Sequence, residues 1–128
     1  MPREIKFRGR RLDNKEWIIG FYTNFKVFGH HQHHFIYDKH NVAYAVDPKT
    51  VGQYTGAKDV ENNDIFDGDR LFAPGNLDDD LQYVGTVVWD HDDNRWEVTN
   101  LYGRYEWIPE GCIVLGSIHE NPNLLKED

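Results

Sequence analysis

The first candidate for chemistry is a run of histidines in the first half of the chain. It reads Gly-His-His-Gln-His-His-Phe from Gly29 to Phe35 and contains four imidazoles, those of His30, His31, His33 and His34. In an extended segment His31 and His33 would share a face, and neutral imidazoles at that spacing can bind zinc, nickel or copper. A structural site needs a third and a fourth ligand held in place, and the run supplies none nearby. The favoured interpretation is a solvated loop, with no metal assigned.

Carboxylates form a second candidate between Asp90 and Asn94, in Asp-His-Asp-Asp-Asn. This run resembles the start of a calcium loop, but an EF-hand has glycine at the sixth position and glutamate at the twelfth. Arg95 and Leu101 occupy those positions here. The run is therefore predicted to be a solvated hairpin turn, and Asp78 to Asp80 is predicted to be a mobile acidic loop.

Ser117 and His119 form a third candidate, since two residues of separation place them on one face of a strand. A nucleophile elbow has the form Gly-x-Ser-x-Gly at a turn from strand to helix. The sequence lacks both the second glycine and the helix. We interpret both as polar residues of a strand, and no catalytic residue is assigned.

The fourth candidate is a group of aromatic residues in the second half of the chain, comprising Trp89, Trp96, Tyr102, Tyr105 and Trp107. Aromatic side chains dominate the core energetics of small β proteins, so core packing is the first interpretation. In small barrels such residues can also line a groove for an extended peptide. The group is therefore the possible interaction surface.

The elements that must position these residues are predicted to be strands. Trp17 to Tyr22 is apolar on both faces, as in a central strand, and Tyr83 to Asp90 alternates cleanly. The turn at His91 to Asn94 then leads into a return strand. Leu101 to Tyr105 is predicted to be a loop or a further ribbon, and Cys112 to Ile118 an apolar strand.

The stretch from Lys49 to Leu71 has the most ordered pattern of glycines and turn residues. Thr55-Gly56 is predicted to end a strand, because glycine reaches positive φ without steric cost. A polar hairpin tip is expected at Asn62-Asn63, both tolerant of left-handed backbone, and a tight turn at Asp67 to Asp69. The segment from Ile65 to Leu71 resembles the turn that enters a strand in SH3-like barrels.

The predicted fold class is mostly β. A short N-terminal β lobe, residues 1–48, is expected to end near Pro48 and to pack on an SH3-like small β-barrel, residues 49–128. Asn121 followed by Pro122 predicts a short C-terminal helical turn, since asparagine caps helices and proline suits the first helical position.

Composition limits the function classes. The chain has 128 residues and a net charge of −8, with 22 acids against 14 bases, so ordinary DNA or RNA binding is disfavoured. The first fifteen residues are nonetheless basic, and we expect that charge to pair within the chain or between subunits.

Cys112 is the one cysteine, and its apolar setting predicts a buried thiol in a reducing compartment. The sequence shows neither a signal peptide nor a long apolar run, which predicts a cytoplasmic location without membrane insertion.

Four segments together resemble the YopX family of phage and prophage proteins. They are Arg3 to Arg8, Trp17 to Tyr22, Thr50 to Gly56 and Ile118 to Pro122. The resemblance implies a small, mostly β protein with an SH3-like portion, encoded by mobile elements in a bacterial host, and it transfers no catalytic residue or cofactor. The chain departs from the family pattern in having Asn62-Asn63, where Asn-Gly is usual, and in its His-rich insert.

The leading hypothesis is a non-enzymatic accessory module whose surface or sheet edges contact another protein or further copies of itself. One alternative is a metal-dependent enzyme that combines the histidine run with a carboxylate and with His40, His91 or His119. Another is an acidic mimic of DNA. The partner is unknown, a homo-oligomer is favoured, and no cofactor is assigned.

Overall fold

The computed structural model describes residues 4–27, 31–74 and 81–119. The contacts between residues divide the chain into two compact units, Met1–Tyr54 and Thr55–Asp128. The sequence placed a lobe boundary at Pro48, whereas this division falls within a strand a few residues further on. We call the two parts the first unit and the second unit.

The first unit is built from short antiparallel strands and one short 3-10 helix. Its elements are β1 (Phe7–Arg10), β2 (Trp17–Val27), β3 (His31–Tyr37), β4 (Ala43–Ala45), the 3-10 helix Pro48–Thr50 and the start of β5 (Gly52–Lys58). The 3-10 helix begins where the Asp47 side chain accepts a hydrogen bond from the Lys49 backbone N–H, with proline at the first helical position. In the described residues this is the only helix, and none is long and apolar enough to cross a membrane.

In its described residues the second unit contains the rest of β5 and six further strands. They are β6 (Asp64–Phe66), β7 (Asp69–Pro74), β8 (Leu81–Asp90), β9 (Arg95–Asn100), β10 (Gly103–Tyr105) and β11 (Ile113–Ser117). The expected hairpin of β8 and β9 is confirmed, with Val87 opposite Val98 and Trp89 opposite Trp96. This register puts one apolar face of the hairpin towards the core.

The prediction of a mostly β fold is confirmed. The strands form a six-stranded sheet of order β4-β3-β2-β1-β5-β6 and a five-stranded sheet of order β10-β9-β8-β7-β11. The expected closed SH3-like barrel is not confirmed, because neither sheet closes on itself within the described residues. The five-stranded sheet therefore has two edges, β10 and β11.

Each unit has its own buried apolar residues. In the first unit Ile36 and Val46 are almost fully buried, and Gly9 lies so close to them that an added Cβ would be 3.1 Å from Ile36 and 3.2 Å from Val46. In the second unit a core cluster forms from Ile65, Leu71, Val87, Val98 and Cys112. The prediction that Cys112 is buried is thus confirmed, and burial raises the pKa of its thiol.

The structure corrects two local predictions. The histidine run was expected to be a loop, but strand β3 begins at His31 and pairs with β2, so its second half is sheet. Thr55-Gly56 was expected to end a strand, yet β5 continues through Gly56 to Lys58, with Gly56 at a φ of 91°. Glycine lets a strand continue through a positive φ that other residues oppose.

Three other predictions lie outside the described residues. They concern His30, the acidic loop at Asp78 to Asp80 and the helical turn after Asn121. The hairpin tip at Asn62-Asn63 and the turn at Asp67 to Asp69 are confirmed, and Asn62 has the expected positive φ of 68°.

Candidate functional site

The candidate site is the free edge of the five-stranded sheet, formed by strand β10 and the residues that flank it. Leu101 and Tyr102 make the turn between β9 and β10. Asn100 holds this turn in place, because its side chain accepts from the Tyr102 backbone N–H at 2.8 Å and donates to the Val84 carbonyl at 2.7 Å. The turn is therefore fixed to strand β8 as well as to β9.

Strand β10 is exposed along its whole length. It pairs with β9 through Gly103 opposite Asn100 and Tyr105 opposite Val98, and within the described residues no strand pairs with its other side. Its flanking side chains are also exposed, by 88% at Leu101, 98% at Tyr102 and 64% at Trp107. We call β10 together with Leu101, Tyr102 and Trp107 the edge surface.

The aromatic group singled out from the sequence separates into two parts. Trp89 and Trp96 are partly buried and pack edge to face with their ring centres 5.0 Å apart, on the face that carries Val87 and Val98. Tyr102, Tyr105 and Trp107 belong to the edge surface and are exposed. The tryptophan pair therefore packs against the fold, whereas the other three side chains are exposed and stay a prediction as an interaction surface.

An open groove lies beside the turn of the edge surface. Its volume is about 370 Å³ and its walls include Phe72, Tyr83, Leu101 and Tyr102. Such concave, mainly apolar space next to an unpaired strand is where the side chains of an added segment could be accommodated.

Charged side chains surround strand β10 and pair with one another. Arg95 lies 3.3 Å from carboxylate oxygens of both Asp93 and Glu97 and 3.6 Å from Glu106. Arg104, on β10 itself, lies 3.5 Å from Glu97 and 3.9 Å from Asp90. Two guanidinium groups are therefore shared by four carboxylates.

These contacts shift two of the groups in the direction that keeps them ionised. Burial disfavours the charge of Asp90, but hydrogen bonds from the backbone N–H groups of Asp92 and Asp93, together with the nearby charge of Arg104, outweigh it and hold its pKa below the ordinary value. Burial likewise disfavours the charge of Arg95, and its bond to Glu97 together with the nearby Glu106 and Asp93 still raises its pKa.

Among the residues that the structure describes, the histidines proposed as metal ligands belong to no cluster with ligand-like spacing. His33 and His34 are neighbours on β3 and so point to opposite faces of the sheet, where His33 stacks on Phe25 and His34 on Tyr22. Among the described residues the grouping with ligand-like spacing is Asp90, Asp93 and Glu97, within 4.8 Å of one another. Arg95 and Arg104 already pair with these carboxylates.

Ser117 and His119 also fail to form a nucleophile pair. Ser117 is fully buried at the end of β11, and its Oγ accepts a hydrogen bond from the His119 backbone N–H at 3.2 Å. The interaction uses the backbone of His119 and not its imidazole, so it fixes the chain after β11.

The first unit carries an exposed aromatic surface that the sequence analysis missed. Phe21 lies opposite Tyr37 and Phe25 opposite His33 on one face of the β2–β3 hairpin, and Phe21 is 75% exposed. Phe25, His33 and Phe35 stack with ring centres 5.6 to 6.4 Å apart. We define the hairpin face as these five residues together with Ile19, so that it comprises Ile19, Phe21, Phe25, His33, Phe35 and Tyr37. Alternation within β2 contained the signal. The strand is central in its sheet, as its apolar faces predict, but the side chains of one face remain exposed.

Comparison with known proteins agrees with the residue pattern. The family model described as YopX protein matches residues 6–126, which is nearly the whole chain. No curated protein matched the chain. The chain therefore belongs to the YopX family.

Proposed function

We propose that this chain is a non-enzymatic accessory protein of phage or prophage origin, and that its edge surface binds a segment of another protein. The observation that carries the proposal is the exposed strand β10, flanked by side chains of Leu101, Tyr102 and Trp107 that are at least 64% exposed. Proteins usually protect such an edge or use it for recognition.

The physical basis is strand addition. An extended segment that lies beside β10 would form main-chain hydrogen bonds with it, and its alternate side chains would meet the two faces of the sheet. Large aromatic side chains concentrate binding energy at protein interfaces, because they bury much area with little loss of side-chain entropy. We expect Tyr102 and Trp107 to have that role.

The alternative of a metal-dependent enzyme has less support. It requires the histidines to meet a carboxylate, whereas His33 and His34 occupy opposite faces of β3 and each stacks on an aromatic ring of β2. The proposal of an interaction module needs no such convergence.

Site-specific photocrosslinking in the host bacterium tests the proposal. A photoreactive amino acid at Tyr102 or Trp107 is expected to give discrete crosslinked products with protein. The matched control places the same amino acid at Val60, which is 64% exposed on the β5–β6 hairpin. Products that are equally abundant and equally diverse at Val60 would contradict the proposal.

A further inference from the structure

The charge of the chain is divided unevenly between its two units. The first unit, residues 1–54, has nine Lys and Arg against five Asp and Glu, a net charge of +4. The second unit, residues 55–128, has five against seventeen, a net charge of −12. A ligand of the second unit that carries positive charge would therefore be attracted at long range, and an anionic one would be repelled.

The charge beside the edge surface is negative as well. Asp90, Asp93, Glu97 and Glu106 share the guanidinium groups of Arg95 and Arg104, which leaves an excess of two negative charges beside β10. Both guanidinium groups are already engaged, and the Asp93 and Glu106 side chains are more than half exposed. An incoming cation would find carboxylate oxygens accessible.

The exposed rings favour the same kind of ligand. Lys and Arg bind the faces of Trp and Tyr rings through cation–π attraction. In the described part of the first unit four such contacts are already formed, as in Lys6 over Tyr54. Within the described part of the chain no cation lies over the rings of Tyr102, Tyr105 or Trp107. These rings are free to accept one.

We propose that the edge surface binds an extended basic peptide segment, with Lys or Arg at adjacent positions so that cations reach both faces of the sheet. Main-chain pairing with β10 would fix the strand, and alternate side chains would meet the carboxylates beside Arg104 on one face and Tyr105 on the other. This inference rests on the proposed function and adds the chemical class of the partner.

Fluorescence anisotropy with labelled synthetic peptides tests the inference on the full-length chain. A peptide of Arg-Arg-Thr repeats, which presents Arg on both faces, is expected to bind, and its counterpart of Glu-Glu-Thr repeats is not. Binding is expected to weaken between about 50 mM and about 300 mM salt, because exposed charges are screened more strongly. Equal binding of the two peptides would overturn the inference.

Variants and a modified peptide locate the site. Trp107→Ser is expected to weaken binding about 3- to 10-fold, the range of one cation–π contact. Val60→Ser, a change at an equally exposed apolar side chain on the β5–β6 hairpin, is the matched control and should leave affinity unchanged. N-methylation of alternate backbone amides of the basic peptide removes main-chain donors without altering its charge. Two such peptides are compared, one methylated at the odd positions and one at the even positions. One of the two is expected to lose binding, because only every second N–H faces β10. Binding that survives Trp107→Ser and both methylated registers would place the peptide elsewhere and overturn the inference.

The test separates the inference from the proposed function. If crosslinks form at Tyr102 but the basic peptide does not bind, the edge surface takes a partner of other chemistry and only the inference fails. If the crosslinks at Tyr102 join two copies of this chain, the occupant is a second copy and the inference is overturned. If neither crosslinks nor peptide binding occur, both proposals fail.

Discussion

Asp59 is a buried carboxylate that holds together two parts of the second unit. It is 8% exposed and accepts backbone hydrogen bonds from Glu61 and Asn63 at 2.9 Å and from Val114 at 3.0 Å. The first two close the β5–β6 turn, and the third ties that turn to strand β11. The sequence analysis treated this segment only as a polar tip, although an aspartate that starts a tight turn commonly bonds to the backbone two residues on.

Replacing Asp59 with asparagine is expected to lower the free energy of unfolding by about 2 kcal/mol at neutral pH, since bonds to a charged acceptor are lost. Burial raises the pKa of Asp59, but the N–H groups of Val114, Asn63 and Glu61 outweigh it and lower the pKa overall. Because the pKa of Asp59 is lower in the folded chain than in the unfolded chain, its ionised carboxylate stabilises the fold. This stabilisation is complete above the pKa of the unfolded chain, about 4, and is lost as the pH falls through the pKa of the folded chain.

Denaturant unfolding of the wild type and of Asp59→Asn at several pH values checks this. The difference between them should shrink below about pH 4. Glu61→Gln, an exposed change in the same turn, is the control and should have little effect. A difference that stays constant with pH would contradict the assigned role of the charge.

Two glycines at positive φ provide the second residue-scale prediction. Gly56 and Gly68 both have a φ of 91°, and valine at either position should cost about 1 to 3 kcal/mol of unfolding free energy. A Cβ at Gly56 meets nothing within 4 Å, whereas at Gly68 it would lie 3.3 Å from Nε2 of His119. The cost at Gly56 should therefore arise from the backbone alone.

Thermal unfolding of both valine variants measures these costs. Gly56→Asn serves as the matched control, because asparagine tolerates left-handed backbone and should recover part of the lost stability. Unchanged melting temperatures for both valine variants would refute the claim.

At the scale of elements, sequence reasoning was most successful where apolar alternation was strict. β8 and β9 were placed nearly to the residue, because one buried face imposes a period of two. The first half of β3 was predicted to be a loop, since it consists of polar residues that carry no apolar pattern. The sequence predicts a loop or a further ribbon at β10, because a three-residue exposed edge has no buried face to record in its sequence.

The candidate site was only partly predictable, because an exposed edge leaves no apolar pattern in the sequence. The sequence identified Tyr102, Tyr105 and Trp107 as candidates by type, but it could not separate them from the packed Trp89 and Trp96. That separation depends on where β10 ends the sheet. Sheet closure also depends on pairings between distant strands, which a single sequence does not specify.

Core and edge of the β9–β10 hairpin should respond very differently to substitution. Val98 is fully buried opposite Val87, so Val98→Ala is expected to cost about 2 kcal/mol of unfolding free energy through lost burial and a small cavity. Tyr102→Ser, at a side chain that is 98% exposed, should change stability by less than about 0.5 kcal/mol. Equilibrium unfolding in urea measures both, and a large loss for Tyr102→Ser would show that this ring packs against the fold.

At the scale of the whole molecule, charge and exposed aromatic area both favour self-association. The hairpin face exposes Ile19, Phe21 and Phe25 on one side of a sheet, and isolated monomers rarely expose contiguous apolar patches of large area. The positive first unit and the negative second unit also give copies of the chain complementary surfaces.

We therefore expect a homo-oligomer at micromolar concentration and low salt, held by the hairpin face. Light scattering should give a mass above the 15.1 kDa of one subunit, and this mass should fall as salt screens the attraction between copies. Joint replacement of Phe21 and Phe25 by serine should dissociate the oligomer, whereas Tyr102→Ser should not, because the edge surface is a separate site. A mass of one subunit under all of these conditions would rule out the oligomer and leave the hairpin face available to a different partner.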